Sequence, residues 1–381
     1  MNKIIIFGAG RYGQMALQHY GVENVAYFID NNSKLWGSRI SGIEVKRTEA
    51  VEAGAKVVIA SKSYLLMQEQ LRGLGVNDVT IFKASSGGYY MTEQLIVNPY
   101  SEGEGDISED EQIERSLNNP NWDTIDKEVD ELYGKDILFN HVEIETVNRC
   151  NGMCEFCPVN KKNDTRDFIR MERSLFDSII EQLAQINYSG KLALFSNNEP
   201  FLDDDIINKH EFARKKLPYA RMHLFTNGTL LTIDKFRKII AYLDELVIDN
   251  YHQELKLIKP CLAIKEYCEA HPELKQKVTI VLRKPKEVLS TRGGDAPNRS
   301  KKISYGERKC VLPFKQFIIR PDGKISLCCN DPLGKETLGD LTQDSMIDIW
   351  RNEKFKHVRE CLQKGRKYYK HCEFCDVMNL G

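Results

Sequence analysis

Residues 150–157 read Cys150-Asn151-Gly152-Met153-Cys154-Glu155-Phe156-Cys157. Three thiols in one short loop, directly after an expected apolar strand over 142–147, can converge on one metal centre. Soft thiolates select zinc, cuprous ion or iron–sulfur clusters. A structural zinc site takes four ligands in CxxC-type pairs, with His as a substitute. Here no fourth cysteine lies close by, and the nearest histidine, His141, stands at the far end of the preceding strand. Three ligands on a four-iron cube leave one iron open for a small molecule. A fragment of a zinc site is the alternative for the same residues.

Outward from this loop, short apolar strands alternate with helical stretches. Strands are expected over 192–195, 222–225, 246–248 and 278–282 as well. Leu175, Phe176, Ile179, Ile180, Leu183 and Ile186 fall on one helix face, with Ser174 as the expected N-cap. Repeated βα units predict a parallel α/β domain over 136–300, open or closed into a partial (β/α) barrel. Upstream, residues 1–95 repeat the pattern, with strands expected over 3–7, 25–29, 56–60 and 79–82. That predicts a doubly wound, Rossmann-like sheet. Between the two, Glu102, Glu104, Asp106, Glu109, Asp110, Glu111 and Glu114 read as a solvated acidic linker over 96–135. Beyond 300, Arg320-Pro321-Asp322-Gly323 separates two apolar runs as a hairpin turn. A helix over 346–362 and a cysteine-bearing tail follow, which makes 301–381 a small separate cap.

The 381 residues leave room for two or three domains of about 150 residues. With 41% hydrophobic and 29% charged residues, a mainly disordered chain is excluded. Lys and Arg number 54 against 55 Asp and Glu, a formal charge of -1. That gives no global pull toward nucleic acid or anionic lipid. No apolar stretch approaches the ~20 residues that cross a bilayer, and residues 1–7 run straight into glycines rather than a signal-peptide cleavage site. A cytoplasmic protein without nucleic-acid or membrane partners is expected. The 11 cysteines all lie from Cys150 onward. In such a chain they point to metal binding or catalysis, not to a disulfide framework. Cys261, Cys268 and Cys361 read as buried apolar residues.

The C-x3-C-x2-C loop after a barrel strand, with an aromatic residue before its last cysteine, resembles the radical S-adenosylmethionine (radical SAM) superfamily. The resemblance implies a 4Fe–4S cluster on Cys150, Cys154 and Cys157 whose open iron chelates SAM. It also implies reductive cleavage of SAM to a 5′-deoxyadenosyl radical that abstracts hydrogen from substrate. Ser196-Asn197-Asn198-Glu199-Pro200 is similar to the family's Gly-Gly-Glu-Pro segment that holds the SAM amino group. Asn replaces both glycines, and Asn tolerates positive φ. Phe225-Thr226-Asn227-Gly228 ends the third strand, where family members contact SAM. The implied SAM contacts are therefore Phe156, Ser196, Asn198, Glu199, Thr226 and Asn227. Arg283 is a further one, whose guanidinium can grip a carboxylate, although a plain surface arginine reads equally well.

Cys310, Cys328-Cys329, Cys372 and Cys375 resemble the SPASM/twitch extension of radical SAM enzymes. The resemblance implies one auxiliary 4Fe–4S cluster on Cys310, Cys328, Cys372 and Cys375, with Cys329 able to replace Cys328. Four cysteines leave no open iron, which suits electron transfer. A four-cysteine zinc knot is the alternative. Gly8, Gly10 and Gly13 form a GxGxxG between strand and helix, with Asp30 where a ribose-binding acid would stand. The segment around them is similar to the small Rossmann-like domain that precedes bacterial sugar acyltransferases. That implies a nucleotide or nucleotide-sugar site, or a ligand-free docking module. In the basic stretch from Arg283 to Lys309, Arg292 beside Gly293-Gly294 is the best candidate for a substrate anion, against a solvated basic loop.

Together these resemblances imply a radical SAM oxidoreductase of carbohydrate biosynthesis with SAM and two 4Fe–4S clusters. It would oxidise an alcohol of a sugar-like or nucleotide-sugar substrate, fed by a donor such as flavodoxin or ferredoxin. An epimerase, a peptide-modifying SPASM enzyme and a zinc- and nucleotide-binding scaffold are the alternatives.

Overall fold

The strand Ile4–Phe7 (β1) is apolar on both faces, because it lies in the middle of a sheet covered on two sides. The computed structural model describes residues 3–61, 64–83, 94–100, 106–119 and 121–378. Two compact units are present: Met1–Val97 with His271–Thr279, and Asn98–Ala270 with Ile280–Gly381.

In the first unit β1 is followed by α1 (Arg11–Tyr20), β2 (Val25–Asp30), β3 (Arg39–Ile40) and β4 (Ile43–Arg47). Then come β5 (Val57–Ile59), α2 (Tyr64–Gly73), β6 (Val79–Ile81) and β7 (Ile96–Val97). The sheet runs β3-β4-β2-β1-β5-β6. Ile4 and Ile6 pack with Ala16 and Leu17 of α1, while Ile5 and Phe7 pack with Met67 and Leu71 of α2. That alternation is the period-2 geometry of a strand, and it yields the doubly wound sheet expected over 1–95. The β3–β4 hairpin is additional. Its turn sits on Ser41 and Gly42, with φ of 49° and 85°, a backbone that favours glycine at the second position.

The second unit contains α3 (Glu109–Leu117), α4 (Asn121–Leu132), β8 (His141–Ile144), α5 (Arg173–Gln185), β9 (Lys191–Ala193), α6 (Ile206–Lys216) and β10 (Arg221–Thr226). These are followed by α7 (Ile233–Ile239), β11 (Glu245–Tyr251), α8 (Lys259–Ala270) and β12 (Val278–Arg283). The end of the chain adds β13 (Gln316–Ile319), β14 (Lys324–Ser326), β15 (Thr337–Asp340), α9 (Met346–Trp350) and α10 (Glu353–Lys364). Strands β8 to β12 lie side by side in chain order, as in an open barrel.

Three expectations need correction. The region 96–135 is not a linker throughout: α3 carries a Ser108–Glu111 capping box, and α4 buries Trp122, Ile125 and Val129 against Tyr305, Val311 and Phe314. Glu102 and Glu104 lie outside the described residues. The acids persist because they meet the basic stretch: Asp106 pairs with Lys284 at 2.6 Å, and Glu109 with Arg299 at 3.2 Å. Most of that stretch is thus neither a free loop nor an anion site. β13 pairs in parallel with β8, Phe317 beside Val142, so the C-terminal hairpin extends the barrel sheet. Finally, α5 starts at Glu172, with Ser174 inside it, and the 346–362 helix breaks at Arg351-Asn352. The Asn352 side chain accepts from the Phe355 N–H and starts α10 afresh.

Candidate active site

The C-terminal ends of β8, β9, β10 and β12 carry the polar residues that the sequence singled out, the usual place for chemistry in a βα barrel. After β8 the cysteine loop turns back on itself. Asn160 Nδ2 donates to the carbonyls of Cys154 and Cys157 at 3.1 and 2.8 Å. The Gly152 N–H donates to Cys150 Sγ at 3.3 Å. A Cβ on Gly152 would lie 3.3 Å from Cys150 Sγ and 3.9 Å from Cys154 Sγ. Two thiols therefore border one small space that a side chain would fill. Burial pushes the Cys150 thiol up to about 12, with Glu199 and Cys157 adding to it. Cys154 is pushed up by burial and then by Cys157 and Cys150. Buried thiols that repel one another as anions require a cationic centre to stay deprotonated. The donor set fits an iron–sulfur cluster on those grounds.

Glu199 ties the second and third loops together. Its Oε1 accepts from Thr226 Oγ1 at 2.7 Å and its Oε2 from the Asn227 N–H at 2.8 Å. Asn227 Nδ2 continues to Asn151 Oδ1 at 2.8 Å, and Cys150 Sγ lies 3.8 Å away. Glu199 and Thr226, expected to touch SAM, are thus buried braces beneath the loop. The Ser196 N–H donates to Asn198 Oδ1 at 3.0 Å, and Asn198 Nδ2 is a buried donor with no partner among the described residues. Phe156 packs beside the Tyr251 ring, centroids 6.0 Å apart. Arg283, expected on a carboxylate of SAM, is held by Glu287 at 2.8 Å, whose other oxygen accepts from Tyr100.

The second cysteine set is assembled across three segments. The Cys328 thiol is pushed well up by burial, and then by Cys329, Cys310, Cys372 and Cys375. Burial pushes Cys329 up to about 12, and the charged groups that act on it most are Glu143 and Arg292. Cys310, Cys372 and Cys375 all act on the Cys328 thiol, and Cys310 acts on Cys329 as well. Arg366 was missed in the sequence. Its buried guanidinium donates to the carbonyls of Cys375 and Val377 and, at 3.4 Å, to Lys309. That clamps both ends of the motif, but a lone arginine in a polar run carries no signal of it. Among the described residues, no group of three His, Cys, Asp or Glu is arranged to hold a single metal ion.

The Arg292-Gly293 turn lies against Asn197 of the second loop and against Asn330, two residues after Cys328. Its φ is 50°, a strained conformation for a side chain of this size. The Thr291 N–H donates to Asp376 at 2.7 Å, and a Cβ on Gly293 would lie 2.5 Å from the Asn330 carbonyl. Arg292 Nη2 donates to Asn197 Oδ1, while its Nε is buried with no partner among the described residues.

In the first unit, Gly8 has φ of 107°, and a Cβ on Gly13 would stand 1.9 Å from the Gly8 carbonyl oxygen. The turn therefore needs both glycines, whereas a Cβ on Gly10 meets nothing. Asp30 braces this loop: one oxygen accepts from the Ala9 N–H and the other from the Asn32 N–H, both at 2.7 Å.

Comparison with known proteins agrees with this geometry. Residues 144–256 match the model of the radical SAM superfamily, and residues 310–376 match SPASM, an iron–sulfur cluster-binding domain. An S-adenosyl-L-methionine-dependent 2-deoxy-scyllo-inosamine dehydrogenase of Niallia circulans is 28% identical over 238 residues, 61% of this chain and 90% of that protein. The crystal structure of BtrN in complex with AdoMet and 2-DOIA aligns with a TM-score of 0.55 at 24% identity, over 64% of this chain and 95% of that one. Among the described residues no helix is long and apolar enough to cross a membrane.

Proposed function

We propose, from the premise that this chain belongs to the radical SAM superfamily and carries a SPASM domain, that it dehydrogenates an alcohol of a sugar-like substrate. Its cofactors are SAM and two 4Fe–4S clusters. When bound, they supply a 5′-deoxyadenosyl radical that takes the hydrogen atom and an auxiliary centre that takes the electron. The single observation that carries this reading is the contrast between the two cysteine sets. One has three thiols in a single short loop, and the other draws Cys310, Cys328, Cys372 and Cys375 from the segment that matches SPASM, four ligands that leave no position for substrate.

Cys150, Cys154 and Cys157 are the ligands of the SAM-binding cluster, and Cys310, Cys328, Cys372 and Cys375 those of the auxiliary one. Ser196 and Asn198 meet SAM from the second loop, with Phe156 beside it. Glu199, Thr226 and Asn227 set the height of that loop, and Arg283 works through Glu287. Arg292 offers its unpartnered Nε to a substrate oxygen, not necessarily a phosphate. The related dehydrogenase of Niallia circulans favours an amino-cyclitol or amino-sugar as the substrate. A flavodoxin- or ferredoxin-type protein is the reductant, and the cytoplasm the place of action. In the first unit, Gly8, Gly10 and Gly13 receive a nucleotide-sugar, with Asp30 bracing the loop rather than meeting a ribose.

The test is anaerobic turnover of 2-deoxy-scyllo-inosamine and related aminocyclitols in deuterated buffer. Equal amounts of ketone and deoxyadenosine are expected, with about eight irons per chain. Recovery of an isomerised alcohol carrying solvent deuterium would establish the epimerase instead.

A further inference from the structure

The Ser196-Asn197-Asn198 loop contains one residue, Asn197, whose bonds reach well beyond the loop. The Asn197 N–H donates to Glu145 Oε1 at 2.6 Å, five residues before Cys150. Its Oδ1 accepts from Arg292 Nη2, and its Nδ2 donates to the Cys329 carbonyl at 3.1 Å and to Ser196 Oγ at 3.3 Å. Asn197 is buried, and all of these partners lie in the second unit. One amide thus joins Glu145 in the segment leading to the first cysteine set, its own loop, Arg292 and the backbone next to Cys328.

We propose that Asn197 is a positioning residue that sets Arg292 against the auxiliary-cluster loop. This rests on the reading of Arg292 as the substrate contact. The bond is needed because Arg292 sits in a left-handed conformation that the backbone would otherwise leave. A free guanidinium at that place would also lose its aim through rotamer freedom. An apolar residue at position 197 can supply neither the acceptor for Arg292 nor the donor for the Cys329 carbonyl. Aspartate supplies the first but not the second.

The experiment compares wild type, N197A and N197D as anaerobic holoproteins. Amide hydrogen exchange, read without substrate, is expected to rise about 10-fold or more at Gly293 and Gly294 in N197A, and to return toward wild type in N197D. Two controls accompany it, iron per chain and exchange in the remaining strands. With 2-deoxy-scyllo-inosamine, N197A is expected to lower kcat/KM about 10- to 100-fold, mainly through KM, as for one lost hydrogen bond to a charged group. More deoxyadenosine should form per product, and N197D should recover part of the loss. Wild-type exchange at Gly293 and Gly294 in N197A overturns the proposal. So does loss of iron or a rise in exchange throughout the unit, since Asn197 is then an ordinary structural bond. If wild type oxidises no aminocyclitol, the proposed function fails and the exchange result still decides the role of Asn197.

Discussion

Thr291 and Asp376 bind each other twice: the same carboxylate oxygen accepts from the Thr291 N–H at 2.7 Å and from its hydroxyl at 3.1 Å. Thr291 precedes Arg292 and Asp376 follows Cys375, so the last turn of the auxiliary motif holds the base of the arginine loop. The other Asp376 oxygen is 3.0 Å from Arg299 Nη1, and both side chains are almost wholly buried. Replacing this carboxylate takes one of two anions from Arg299, which keeps Glu109 at 3.2 Å, and weakens the bonds to Thr291, at a cost of about 1–3 kcal/mol. D376N is therefore expected to lower the thermal midpoint of the anaerobic holoprotein. A midpoint within one or two degrees of wild type would count against this pair as an anchor.

Cys328 and Cys329 are neighbours in sequence, and the proposed function takes Cys328 as the ligand. C328S is expected to bring the iron content from about eight to about four per chain, leaving only the cluster of the first loop. C329S is expected to retain about eight. Iron and sulfide analysis of the two purified variants decides it, and equal losses in both would refute the assignment.

Glu145 lies buried after β8, and burial raises its carboxyl from 4.5 to about 7, against the opposing pull of the Asn197 N–H and Arg166. A carboxyl raised in the folded state binds a proton there that the unfolded chain has released. This group accordingly makes the fold less stable as pH rises from about 4.5 to about 7, and the full penalty stands above that. E145Q removes the ionisation while keeping an oxygen for Asn197. It should gain stability over wild type at pH 8, by up to about 3 kcal/mol, and little at pH 5. Denaturant midpoints at the two pH values test the sign.

In the first unit, G13A puts a methyl group 1.9 Å from a backbone oxygen that has no room to retreat. Destabilisation of that unit by about 3 kcal/mol is expected from overpacking of this severity. Limited proteolysis should cut residues 3–83 sooner, and iron content should not change, because every cysteine lies outside that segment. G10A, with nothing near its Cβ, is the control.

The fold was legible where a single periodicity dominated. Ile4–Phe7 and the five barrel strands announce themselves as short apolar runs between polar turns, and their order follows from βα repetition. The thiol sets were legible because spacing survives in sequence. What could not be read was partnership. The acidic run around Glu109 has the composition of a solvated linker, and its partners Arg299 and Ser300, nearly two hundred residues away, are invisible in the local pattern. Glu199 has the place of a ligand contact in the sequence, yet its bonds to Thr226 and Asn227 make it a brace. Asn352 stops one helix and caps the next through a local bond that the apolar pattern across 346–362 conceals. Cys328 and Cys329 differ only in the direction of a strand end.

The lateral union of β13 with β8 has a consequence for how such an enzyme can change. The strand that delivers the first cysteine loop has β9 on one flank and β13 on the other. Trimming the chain after β12 would bare a hydrogen-bonding margin beside the reaction centre and invite self-association there. The segment that carries the later cysteines and the strand that leads into the earlier ones thus share one hydrogen-bonded sheet.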